Sequence, residues 1–233
     1  MLELSGVAAG YGKIEIVREI SFAVPDGATV ALIGPNGAGK STILRAIAGL
    51  ASTFRGTVRL GGLALDGLPT ASRARAGLGY VPQGSALFPE LTVLETLEVG
   101  ALLLKHQERR RHHLAAVLEL FPDLTARLHD QATELSGGQR QMLALARAVV
   151  AEPTTLLLDE PSLGLAPGAA RAVIEHVRNL RDRHGLAILL AEQNVNEATR
   201  VADQVIGLKL GRVVAQGRAE AFQDREALRR LFL

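Results

Sequence analysis

The residues with the plainest chemistry are Gly34-Pro35-Asn36-Gly37-Ala38-Gly39-Lys40-Ser41-Thr42. They match G-x-x-x-x-G-K-[ST], a pattern in which glycines let successive backbone N–H groups converge on a polyphosphate. Lys40 would reach the β- and γ-oxygens, and the Ser41 hydroxyl would complete a Mg²⁺ shell. The pattern has this meaning only between a strand and a helix. The apolar run Val30-Ala31-Leu32-Ile33 precedes it, and the helix-compatible Ile43 to Ala48 follows and stops at Gly49. The loop is expected to hold a nucleoside triphosphate.

Two further stretches carry chemistry. Leu135-Ser136-Gly137-Gly138-Gln139 leads into a strong helical pattern from Arg140 to Ala151. Ser136 can cap that helix, and Gly137 and Gly138 bare N–H groups at its positive end, which makes a second phosphate cradle. One nucleotide filling both cradles would require the second to fold onto the first; cradles that lie apart would let two chains share two nucleotides. Periodicity does not choose between these. Thr155-Leu156-Leu157-Leu158-Asp159-Glu160 reads as a buried parallel strand ending in two acids beside the phosphate loop. Asp159 is suited to hold Mg²⁺ through water or Ser41, and Glu160 to accept a proton from an attacking water. The strand Leu78 to Val81 ends in Pro82-Gln83, whose amide oxygen could reach Mg²⁺ or that water.

The elements that must position these groups follow in chain order. Leu2 to Val7, Ile20 to Val24 and Gly56 to Leu60 read as strands, so the N-terminal part is rich in antiparallel β. Tyr11-Gly12 lies between the first two, near the expected site. From Leu91 to about Leu120 apolar residues recur at helical spacing with no strand signal. Within it, Arg109-Arg110-Arg111-His112-His113 reads as a solvated helix face, with a partner or lipid-headgroup contact as the lesser reading. His184, before Gly185, reads as a solvated helix end.

Composition narrows the rest. The chain has 233 residues, 48% of them apolar, a formal net charge of +2 and no cysteine. That length suits one large α/β domain or a domain with a subdomain. The charge balance does not call for nucleic acid, and the absence of cysteine excludes disulfides and cysteine metal sites. Met1-Leu2-Glu3-Leu4-Ser5 lacks a signal-peptide pattern, and the apolar stretch Met142 to Ala151 is broken by Arg147, short of the ~18 residues that would span a bilayer. A cytoplasmic chain that reaches a membrane only through a partner is expected.

The phosphate loop, Gln83, Leu135 to Gln139 and Leu156 to Glu160, in that order, resemble the nucleotide-binding subunits of ATP-binding cassette (ABC) transporters over essentially the whole chain. The resemblance implies an α/β fold of the P-loop NTPase type, with an N-terminal antiparallel β subdomain and an inserted helical subdomain. Residues 1–84 and about 152–233 would form the core, and about 85–151 the helical subdomain with the signature loop. It implies a Mg²⁺-dependent ATPase working as a head-to-tail dimer, in which the Ser136 loop of one chain closes over ATP held by the Lys40 loop of the other. Tyr11 would stack on adenine, and Gln83 would couple Mg²⁺ to the helical subdomain. That subdomain would grip membrane permease subunits at the cytoplasmic face of the inner membrane, with a periplasmic solute-binding protein as an indirect partner. The second ATPase would be an identical or a different chain.

Ser162-Leu163-Gly164-Leu165-Ala166-Pro167, and Gln193 where the family usually has histidine, resemble the ATPases of branched-chain amino-acid importers and their relatives for urea and amides. Gln193 can donate an amide N–H to the γ-phosphate but carries no charge. Three other classes fit less well. A small-molecule kinase has no use for the Ser136 cradle, a DNA-repair or chromosome ATPase would need coiled coils or a basic groove, and a translation-type cassette protein usually carries two cassettes.

Overall fold

The structure is a computed structural model and describes residues 1–222. The chain opens with the hairpin β1 (Leu2–Tyr11) and β2 (Ile14–Val24). Both strands outrun their expected bounds. Bulged register shifts after Leu4 and Val7 keep the pairing alive as far as Tyr11 opposite Ile14, and Gly12 at φ 58° closes a two-residue turn. Tyr11 therefore ends a strand rather than sitting in a loop.

β3 (Thr29–Ile33) follows, then the phosphate loop and α1 (Lys40–Ala48). β4 (Ser52–Leu60) and β5 (Leu63–Ala64) return to the hairpin and complete an antiparallel sheet of order β2-β1-β4-β5. After α2 (Thr70–Arg75) comes β6 (Leu78–Val81). The stretch from β6 to the next strand holds only helices: α3 (Val93–Ala101), α4 (Gln107–Leu120), α5 (Pro122–Thr125), a 3₁₀ turn at Ala132–Glu134, and α6 (Gly137–Val149). Then come β7 (Thr155–Asp159), α7 (Pro167–His184), β8 (Ala187–Glu192), α8 (Val195–Val201), β9 (Gln204–Lys209) and β10 (Arg212–Arg218).

The second sheet has the order β10-β9-β3-β8-β7-β6, parallel except for β10. Helices cover it, so its strands are apolar along their whole length: every residue of β3 and β7 is buried. The period of two still shows within β7. Leu157 faces a core shared with the antiparallel sheet and α1, whereas Leu156 and Leu158 face a core built with α3, α6 and α7. The sheet thus separates two hydrophobic cores, and the ends of its strands lie between them. Among the described residues, no helix is long and apolar enough to cross a membrane.

The basic run on α4 is mostly solvated, with Arg109 exposed and only Arg110 and His113 half-buried. Arg111 and His112 are exposed without such partners among the described residues, whereas the exposed Arg109 and the half-buried His113 converge on Glu152, His113 at 2.9 Å, and the Arg110 Nε donates to the Leu104 carbonyl at 2.7 Å. A carboxylate 39 residues beyond His113 recruits side chains that helical periodicity alone leaves in water. His184 is exposed at the end of α7, with Gly185 at φ 63° ending the helix, as its spacing suggested.

Candidate nucleotide site

β3 and β8 pair in parallel and end together, and the chain leaves β3 into the phosphate loop. The backbone there is hemmed in. A Cβ on Gly34 would stand 2.4 Å from the Leu208 carbonyl oxygen; one on Gly39, at φ 105°, would stand 2.4 Å from a Val17 methyl. Only glycine permits that approach, and it presses the loop onto β9 and β2. The turn after β9 props it as well, since the Gly211 N–H donates to the Ala38 carbonyl at 3.0 Å.

Lys40 starts α1, and its side chain is buried. Its Nζ donates to the Gly34 carbonyl at 2.9 Å and to Pro35 at 3.4 Å, and lies 3.1 Å from Glu160 Oε1. The next residue, Ser41, donates through Oγ to Asp159 Oδ1 at 2.8 Å. Asp159 ends β7 and is buried; burial pushes its pKa up against the hydrogen bond from Ser41 and the positive charge of Arg45. Glu160 follows in a left-handed conformation, φ 49°, with its N–H on the Ala191 carbonyl of β8 at 2.9 Å. This reversal turns Glu160 away from Asp159, toward Lys40. Gln83, just past β6, donates through Nε2 to Glu160 Oε2 at 3.3 Å. A cavity of about 330 Å³ opens above these groups, lined by Asn36 to Thr42 with Ile16, Gln83, Glu160 and Leu163.

The arrangement suits a polyphosphate: a glycine-rich loop and a helix start beside the cavity, with the buried Lys40 ammonium behind them. It also suits Mg²⁺. A hydroxyl and a buried carboxylate in mutual contact supply two hard oxygens, and no cluster of three or more potential metal-ligating His, Cys, Asp or Glu side chains occurs among the described residues. Mg²⁺ binds readily at such a sparse site when phosphate oxygens and water complete its shell.

Other expected site residues stand apart. Tyr11 is half exposed, its hydroxyl accepting from Arg45 Nη1 on α1 at 3.2 Å, outside the residues that line the cavity. Gln193 is exposed one residue past β8 and does not line the cavity either. Ser136 caps α6 in a reciprocal box with Gln139: the Gln139 N–H donates to Ser136 Oγ at 3.3 Å, and the Ser136 N–H donates to Gln139 Oε1 at 2.9 Å. The helix start packs on the beginning of α7, where a Cβ on Gly138 would lie 3.0 Å from that of Ala169. None of Ser136 to Gln139 lines the phosphate cavity of its own chain.

The sequence reading missed three side chains. Tyr80 donates to Asp159 Oδ2 at 3.4 Å, and burial and the neighbouring Asp159 charge push its phenol up to about 12. Arg45 bridges Tyr11 and Tyr80. Glu192 is buried at the end of β8 and accepts the Ser162 N–H at 3.2 Å; burial raises its carboxyl pKa. Only Glu192 left a signal, a carboxylate closing an apolar strand.

A phosphate loop between a parallel strand and a helix, with paired acids at the end of the next strand but one in the sheet and a block of helices inserted before them, defines a P-loop nucleotide-hydrolysing domain. The chain belongs to the ABC transporter family, whose family model, described as ABC transporter, matches residues 17–163. It is 40% identical over 233 residues to the high-affinity branched-chain amino acid transport ATP-binding protein BraG of Pseudomonas aeruginosa, covering 100% of this chain and 99% of that one. It is 38% identical over 231 residues to the probable branched-chain amino acid transport ATP-binding protein LivF of Archaeoglobus fulgidus, covering 99% and 98%. Among solved structures, it matches the ATP-binding subunit of an ABC transporter with a TM-score of 0.82 at 33% identity, over 98% of this chain and 94% of that one. It also matches a dimeric, post-hydrolysis ATP-binding cassette bound to ADP and phosphate, with a TM-score of 0.80 at 25% identity, over 94% and 99%.

Proposed function

We propose that the chain hydrolyses ATP with Mg²⁺ to power an importer of branched-chain or related amino acids, paired with a second, identical or different ATPase chain. The observation that carries this reading is the separation of two cradles on one chain. The Lys40 loop lines a cavity with Gln83 and Glu160, while none of Ser136 to Gln139 lines it, an arrangement that supports closure of the Ser136 helix start over a partner's nucleotide. The names of the relatives support the solute class.

In this reading each residue has a role. Residues Gly34 to Thr42 bind the phosphates through backbone N–H groups and Lys40. Ser41, Asp159 and Gln83 are the protein ligands for Mg²⁺, which neutralises phosphate charge when bound. Glu160 accepts the proton of the attacking water, and Gln83 steadies its carboxylate. Tyr11 takes the adenine and Gln193 the γ-phosphate when the nucleotide and the partner chain draw these surfaces in. Ser136 to Gln139 of the partner complete the site.

Residues 1–84 and about 152–233 act as the core, and about 85–151 as the helical subdomain. Between them lies an apolar groove of about 320 Å³ lined by residues including Ala48, Leu78, Tyr80, Val99, Leu103 and Arg147, which would seat cytoplasmic helices of the permease subunits. A periplasmic solute-binding protein would deliver the amino acid, with this chain at the cytoplasmic face of the inner membrane.

The test is uptake in liposomes holding the chain with the permeases encoded beside its gene. Leucine uptake that needs ATP and is lost with Lys40→Ala is expected. Full hydrolysis by an isolated monomer lacking Ser136 would overturn the shared-site reading.

A further inference from the structure

We propose that Gly84-Ser85-Ala86 is a strained turn pinned from α6 by Gln141 and Arg147, and that this pin holds Gln83 on Glu160. All three turn residues are left-handed, at φ 79°, 67° and 42°. For Gly84 that is free, but Ser85 and Ala86 each carry a Cβ that crowds the following carbonyl. Two such residues in a row persist only when their surroundings hold them.

Inside the turn the Ala86 N–H donates to the Gly84 carbonyl at 2.8 Å, and two further contacts hold it from α6. Ser85 Oγ donates to Gln141 Oε1 at 2.6 Å, with both residues buried, and Arg147 Nη1 donates to the Ala86 carbonyl at 2.8 Å. Gln141 Nε2 is buried with no partner among the described residues. A buried amide left with an unmet donor is poor core filling, so its one bond to Ser85 is what the side chain supplies.

Gln83 is one residue before the turn, and its contact with Glu160 is 3.3 Å long. With the pin released, the turn relaxes to right-handed backbone and withdraws Gln83 from Glu160. Ser85, Gln141 and Arg147 are thus positioning residues that act through Gln83. Arg147 also lines the groove assigned above to the permease, so an occupant of that groove touches the pin directly. This regulatory step rests on the proposed function.

The test compares Ser85→Ala with Ser85→Gly in the full-length chain. Ser85→Ala removes the hydroxyl but keeps the Cβ that makes the left-handed backbone costly, so the turn relaxes, Gln83 withdraws, and kcat falls about tenfold while KM for ATP stays within about twofold. Ser85→Gly removes the hydroxyl and the strain together. Its kcat returns to within about threefold of the parent, and it melts above Ser85→Ala, because glycine takes φ 67° without cost. Unchanged turnover in Ser85→Ala, turnover in Ser85→Gly as low as in Ser85→Ala, or the opposite order of melting would each overturn the pin. A parent that neither binds nor hydrolyses ATP would instead overturn the proposed function, and the order of melting would still judge the pin.

Discussion

Glu160→Gln tests the centre of the site, because Glu160 is joined to both Lys40 and Gln83. The Lys40 Nζ lies 3.1 Å from its carboxylate, with the two side chains 4% and 7% exposed. At an effective dielectric near 20, two unit charges at that distance attract by about 5 kcal/mol, part of which offsets their removal from water. Neutralising one partner of a buried pair while leaving the other charged costs about 3 kcal/mol. For a chain of this size, that lowers the melting temperature of the nucleotide-free protein by about 6–12 °C. ATP then supplies the missing negative charge, so ATP without hydrolysis raises the melting temperature of the variant more than that of the parent. Turnover falls at least about 100-fold with the loss of a general base, and ATP-loaded dimer accumulates on size exclusion. Differential scanning fluorimetry with and without ATP, beside a phosphate-release assay, reads all of these. An unchanged melting temperature would mean that Glu160 does not hold Lys40, and ordinary turnover would remove it as the base.

Three further outcomes are expected. If Tyr11 stacks on the base, Tyr11→Ala loses about 1–3 kcal/mol, so ATP binds about 5- to 150-fold more weakly and the preference over GTP disappears; equal selectivity in a nucleotide competition assay would count against stacking. Gln193→Ala slows hydrolysis more than it weakens ATP binding, and unchanged turnover would show the position to be idle. Glu192→Gln keeps the acceptor for the Ser162 N–H and removes a carboxylate whose pKa burial raises. A carboxyl with a raised folded pKa costs stability once it must ionise, so the variant is the more stable at pH 7. That advantage fades as the pH falls through the raised pKa and the parent's Glu192 takes up its proton. A constant difference in melting temperature between pH 4 and pH 8 would refute the assignment.

The parts of the site that could be read from sequence are those fixed by local chemistry. Gly34 to Thr42 states its own backbone requirement, and the Leu156 to Asp159 run announces a strand buried on both faces because no polar residue interrupts it. Tyr11 was harder to place, since bulges that lengthen β1 are set by pairing with β2 and β4 rather than by residue type. The contacts of Arg109 and His113 with Glu152, and of Arg45 with Tyr11 and Tyr80, join residues far apart in sequence. Such contacts depend on how the layers pack, and no spacing rule reports them. The left-handed Ser85 and Ala86 are the extreme case: neither residue type favours that backbone, so it is legible only once Gln141 and Arg147 are seen behind them.

That pin gives α6 two duties. The helix has 13 residues, so at about 1.5 Å per residue it is a rod about 20 Å long. Its N-terminus is capped by Ser136 and presents the second cradle, while Gln141 and Arg147, further along, hold the turn behind Gln83. Leu143, Ala144, Leu145 and Ala146 are buried in the second core, whose close packing resists bending of the helix between its two ends. A shift of the Ser136 end onto a partner's nucleotide must therefore move Gln141 and Arg147 as well. On the shared-site proposal, closure of one site and the setting of Gln83 in the same chain's own site would be one rigid-body event. That shift would couple two nucleotides held by two chains without any contact between the nucleotides themselves.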